Sequence, residues 1–181
     1  SFGTKTEEET DWSNYVPGDE TMPEIVLQRL IEKEENPEHK KLMQAMYRNA
    51  EKLGNTRVVV KAGSGYRGYF DVREGVIAVN RTAGEEISDK EQRRVLFHEL
   101  LHAYLSGVIW DPRTTEELNF VRNMIRAWEK AKKLDPNYKE IHDPKTGLQE
   151  FVARIGSEKA LREKLKKADI WNTIKRLIRK L

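Results

Sequence analysis

Residues 95–107 read VLFHELLHAYLSG, and the fold turns on how this stretch is read. Val95, Leu96, Leu100, Leu101 and Tyr104 recur at three- and four-residue steps, the pattern of a helix that buries a stripe. Ser88-Asp89-Lys90-Glu91 upstream has the form of a capping box, with Ser at the cap and Glu three residues on. Trp110-Asp111-Pro112 stops the pattern, because the residue before a proline is pushed out of helical backbone. Inside the helix stands His98-Glu99-Leu100-Leu101-His102, an HExxH motif. Positions four apart lie on one helix face. Two imidazoles there can reach a single Zn²⁺ at about 2.0–2.1 Å. The Glu beside the first His projects about 100° around the helix, where it can hold a water instead of ligating. Zn²⁺ lowers the pKa of such a water to roughly 7, and the Glu takes its proton. The alternative is a pair of core histidines satisfied by hydrogen bonds. Burying two His and a Glu on an apolar helix without a metal is costly, which favours the metal.

Composition narrows what can complete the site. The chain has 181 residues and no Cys, so thiolate zinc sites, disulfides and Cys nucleophiles are excluded together. The length suits one domain with one core. Lys plus Arg is 33 and Asp plus Glu is 30, a formal net charge of +3. That total hides a front, residues 1–40, with eleven acids and four bases, and a back, residues 157–181, with nine bases and three acids. No apolar run approaches the length of a membrane span, and no apolar segment after a basic start suggests a signal peptide.

Upstream of the motif helix, residues 1–20 are polar with a Pro17-Gly18 turn, and read as a flexible lead-in to a single domain over 21–181. Ile25, Leu27, Leu30 and Ile31 form one helical stripe that Pro37 breaks. Leu42, Met43, Met46 and Leu53 continue a second, ended by Gly54. The period then changes. Residues 57–61, 66–72 and 76–79 read as three short strands, antiparallel, with Gly75 at a hairpin turn. Downstream, Thr114 or Thr115 caps a helix with the stripe Leu118, Val121, Ile125 and Trp128. Residues 135–147 read as a loop, 148–155 as a short helix closed by Gly156, and 157–181 as a last helix. The stripe of that last helix is Leu161, Leu165, Ala168, Trp171, Ile174, Ile178 and Leu181. The class is α+β: N-terminal helices, a small three-stranded antiparallel sheet, the HExxH helix, then C-terminal helices.

A third metal ligand is required. The metzincin extension needs Gly and His where this chain has Leu105 and Val108. Without Cys the choice is among His142, Glu150, Glu116, Glu117, Asp111 and Asp143. Glu150, on the short helix beside Phe151 and Val152, is the preferred one, since a carboxylate near the core wants a partner. The same residue reads equally well as a Glu on a solvated helix face.

Three segments together carry a resemblance: GVIAVNRT (75–82), VLFHELLHAYLSG (95–107) and GLQEFVARIGSEKALREKL (147–165). They resemble the zincin-like, gluzincin-type metallopeptidase domains inside large polyvalent proteins of phages and mobile elements and related polymorphic toxins. The likeness covers residues 55–180. It implies His98, His102 and Glu150 as zinc ligands, Glu99 as general base, and a zinc endopeptidase acting on a protein or peptide. It also implies a setting in the host-cell cytoplasm or a phage particle, not secretion by a signal peptide. The stretch LFHELLHAYL is similar as well to the Spartan/SprT peptidases. Those use a further His soon after the motif, and this chain has none between His102 and His142.

For the oxyanion, His142, Tyr138 and Tyr104 are candidates, against surface or core roles for each. In zincins the edge strand before the motif helix pairs with substrate. The resemblance makes that strand Val76–Asn80, with Asn80 at its end as a possible substrate contact. The basic C-terminal helix could touch nucleic acid. Its acids and its apolar stripe fit better a helix that buries one face and solvates the other. Two other classes stand as alternatives: a catalytically silent zincin-like binding module, and a nucleic-acid-associated protein with a structural metal.

Overall fold

The computed structural model describes residues 16–63, 68–71, 74–81 and 90–157. In chain order these form β1 (Glu20–Thr21), α1 (Pro23–Lys33), α2 (Pro37–Arg48), a 3₁₀ turn (Ala50–Leu53), β2 (Arg57–Ala62), β3 (Gly68–Asp71) and β4 (Val76–Arg81). Then come α3 (Lys90–Trp110), α4 (Thr115–Leu134), a second 3₁₀ turn (Lys139–His142) and α5 (Gly147–Ser157). The class is mixed α and β, as expected.

The helix starts follow local chemistry. Pro23 and Pro37 occupy the first turns of α1 and α2, where a missing N–H costs nothing. The Asn36 side chain accepts from the N–H groups of Glu38 and His39 at 2.9 and 3.3 Å. Thr114 caps α4 by accepting from Glu117 N at 3.1 Å. Ser88 and its capping box lie outside the described residues.

The sheet differs from the expectation of three antiparallel strands. It has four strands in the order β1-β2-β4-β3. β2 and β4 run parallel, from Arg57 opposite Val76 to Ala62 opposite Arg81. β3 pairs antiparallel with β4 through the turn at Gly75, whose φ of 63° needs glycine. β1 adds an antiparallel edge on β2, and Gly18 N donates to Val60 O, so the end of the polar lead-in is tied to the sheet. The reason lies in the side chains. Ile77, Ala78 and Val79 are all buried, an unbroken apolar run of the kind that sits between two neighbours. Tyr69 is half exposed and Asp71 closes its strand, which suits an edge. The expectation that Val76–Asn80 is an edge strand is therefore corrected: β4 is interior, and β3 is the edge beside it.

Val58, Val60, Ile77, Val79 and Phe70 share the sheet face toward the helices, by register. α3 crosses that face and is the axis of the core. Buried residues ring it on all sides, including Val95, Leu96, Leu100, Leu101, Tyr104 and Val108. α5 packs against α3 through Phe151 and Val152, both fully buried. Each such side chain contributes about 1.5–3 kcal/mol relative to exposure.

α4 is rotated from the expected stripe. Glu117, Phe120, Met124, Ala127 and Ala131 are buried, while Leu118 and Ile125 are 44% and 40% exposed. Val121 and Trp128 flank the core. The rotation brings Glu117 inward to Lys52, described below. α5 also continues through Gly156 to Ser157, past the expected stop. The expected last helix and its basic face lie outside the described residues. Among the described residues no helix is long and apolar enough to cross a membrane.

Candidate metal centre

The HExxH residues sit at the middle of α3, where helix and sheet meet. His102 and Glu99 are each 5% exposed, while the His98 side chain keeps 25% of its surface open. One imidazole is thus sunk and the other borders solvent, one turn apart on the same face. His98 Nε2 lies 3.3 Å from Glu99 Oε1, so carboxylate and imidazole face each other at the start of the motif. The ring of Phe70, from β3, meets His102 edge-on with centroids 5.2 Å apart. The edge strand and the buried imidazole are therefore in direct contact. The sequence reading did not single out Phe70. Alternation in a strand puts Phe70 opposite Tyr69, but only the packing of β3 on α3 brings its ring to His102.

Glu150 stands in the first turn of α5 and is half-buried. Its position is fixed from behind. Trp128 Nε1 donates to Ile141 O at 2.6 Å, and a side chain at Gly147 would collide with that same carbonyl. Glycine at 147 thus lets α5 start flush against the 3₁₀ turn and α4. Asp143 Oδ1 accepts from Lys145 N and Thr146 N at 2.8 and 3.1 Å, and these bonds hold its carboxyl below the usual carboxylate range. Glu150 N then donates to Thr146 O to begin the helix.

By donor type the residues suit zinc: two imidazoles at helical spacing, a neighbouring carboxylate, and a further carboxylate on the helix packed alongside. Among the described residues no three His, Asp or Glu side chains are gathered into one cluster. His98, Glu99 and His102 are local to one helix, whereas Glu150 comes from α5.

The other named residues have different placements. His142 is exposed, with Nε2 3.1 Å from Asp135 O, and closes the loop before α5. Tyr138 is half-buried against the core, and its N–H donates to Asp135 O. Asn80 lends its carbonyl to Gln92 Nε2 at 3.2 Å, which joins the end of β4 to the start of α3. Gln92 is six residues before His98, about 9 Å along the helix axis. Tyr104 is fully buried two residues beyond His102, about 200° around the helix from it. Its hydroxyl is held far above the ordinary phenol range, first by burial and then by Glu51 and Glu117. It belongs to the opposite side of α3, so it is set aside as an oxyanion donor.

A second buried polar group lies on that opposite side. Glu117 is fully buried, and Lys52 Nζ sits 2.8 Å from its Oε1 and 2.6 Å from its Oε2. The backbone N–H of Arg113 donates to Oε1 at 3.0 Å. Here a carboxylate in the core is compensated by the fold itself.

The chain matches no protein-family model, no curated protein and no solved structure at a significant level.

Proposed function

We propose that this chain is a zinc-dependent endopeptidase. One observation supports the reading most. An acid and an imidazole, Glu99 and His102, are sunk at 5% exposure in an apolar helix, next to a part-open His98 and under the edge strand of the sheet.

His98, His102 and Glu150 would hold the metal. A bound Zn²⁺ supplies Lewis-acid polarisation of a peptide carbonyl and makes an attacking water more acidic. Glu99 receives the proton on its carboxylate and delivers it to the leaving amine nitrogen. Its burial keeps bulk water from competing for that proton, and it projects about 60° around α3 from His102, beside the face that carries the two imidazoles. β3 has one side bonded to β4 and the other free of any described strand. An extended peptide that added there would gain main-chain hydrogen bonds and run past Phe70 toward His102.

The test is cleavage of an unfolded protein by the zinc-loaded chain. Wild type cuts; Glu99→Gln does not, with equal zinc content in both. If wild type cuts nothing across a broad substrate panel while holding zinc, the domain is a binding module.

A further inference from the structure

Three contacts fix how α3 lies under the sheet, and with it what faces the free edge of β3. With His98 as the origin around the helix axis and about 100° per residue, Gln92 points to about 120°. Its amide donates to the Asn80 carbonyl of β4 at 3.2 Å. Val95 points to about 60° and packs against Gly68 of β3, so closely that a side chain at 68 would collide with it. His102 points to about 40° and meets Phe70 of β3. Passing from β4 to β3 therefore turns toward lower angles around α3. The next strand position, beyond the free edge of β3, lies over the stripe at about 0° to −40°. That stripe carries His98 and, one turn earlier, Arg94. The order along the axis is fixed as well. Gly68 sits at Val95 and Phe70 at His102, so β3 runs in the direction of α3, and Arg94 is level with the Gly68 end.

The Arg94 guanidinium is only partly used. Its Nε bonds Glu91 Oε2 at 3.1 Å, with 62% and 54% of the two side chains open to solvent. Among the described residues its terminal nitrogens have no other partner. An exposed pair of this kind is weak, and another carboxylate can displace it. The other charged groups on this side of the helix start are Glu91 itself, at about 20°, and exposed Lys90, at about −80°. We propose that Arg94 is a specificity-determining residue that grips the carboxylate of an acidic side chain in the substrate. This rests on the peptidase reading and names the substrate class of that same site. A guanidinium takes a carboxylate through two parallel N–H bonds. Arg94 and His98 stand about 6 Å apart along the axis. A strand advances about 3.3 Å per residue, so the substrate residue level with Arg94 is two positions from the one over His98. Residues two apart in a strand point to the same face, so an Asp or Glu there turns toward α3 together with its neighbour over His98.

The experiment is cleavage of paired peptides by the zinc-loaded full chain, with cut sites read by mass spectrometry. A single Glu is walked through the positions around the scissile bond, against Gln at the same positions, each peptide with a free and with an amidated C-terminus. Glu at one position is expected to raise kcat/KM about fivefold, chiefly through KM, the upper range for an exposed ion pair. The gain should be equal in free and amidated peptides. Arg94→Ala should remove the preference, and Arg94→Glu should turn it toward Lys, at equal zinc content. Cleavage without a Glu preference, or with one that survives Arg94→Glu, overturns the proposal and leaves the peptidase reading standing. So does a gain that requires the free C-terminus, which would assign the grip to the end of the peptide. Absence of any cleavage overturns the peptidase reading, and this inference with it.

Discussion

The two sides of α3 each hide a carboxylate, and they differ in what answers it. The Glu117 carboxylate meets the Lys52 ammonium and the backbone N–H of Arg113, both from its own fold. It is a closed structural device that ties α4 to the 3₁₀ turn at Ala50–Leu53. Glu99 sits beside an imidazole one residue away, on a face where His98 reaches solvent and the edge strand passes over. Burial alone therefore does not separate the two carboxylates. Glu99 differs in lying beside two imidazoles, one of them open to approach, and that difference supports the proposed role.

The comparison sharpens into expected outcomes. The largest concerns Glu99→Gln. Loss of a general base should lower kcat by about 10²–10⁴-fold with the melting temperature unchanged, as read by kinetics and calorimetry. Glu117→Ala should do the reverse. It strands Lys52 against the core and should destabilise folding by about 3–5 kcal/mol in urea melts, with kcat per folded molecule preserved. If the two variants exchanged these effects, the division of roles would be broken.

Next comes Glu150→Ala. Zinc affinity should fall by more than about 100-fold, beyond the range for loss of a supporting hydrogen bond, while exposed Glu140→Ala changes little. Equal losses in a chelator competition would move the third ligand elsewhere. Gly147→Ala forces a methyl against the Ile141 carbonyl. A cost of about 1–3 kcal/mol is expected, with weaker zinc retention because α5 carries Glu150. The smallest effect is assigned to Phe70→Leu, which keeps an apolar contact on His102 but changes the edge strand's inner surface. KM should rise a few-fold with kcat nearly constant; a kcat loss as large as that of Glu99→Gln would place Phe70 in the chemistry itself.

Much of this was legible in the sequence, and the misses have physical causes. The α3 stripe, the break at Pro37 between α1 and α2, and the turn at Gly75 were readable because each rests on local chemistry. Strand order was not. Periodicity marks strands but does not say which neighbour each takes, and the parallel pairing of β2 with β4 is a long-range choice driven by the apolar run 76–79. The α4 stripe was misphased because Leu118 and Ile125 outweighed a glutamate in a hydrophobicity count. Lys52, 65 residues earlier, is what allows Glu117 inside. At the site, the HExxH spacing was visible and Phe70 was not, since its role depends on β3 folding over α3.

The most direct test is the metal content of the full chain purified without added zinc. The account predicts close to one Zn²⁺ per chain by elemental analysis, lost in His98→Ala and in His102→Ala with the fold retained. No zinc in wild type, even after reconstitution with the ion and removal of the excess, would contradict it.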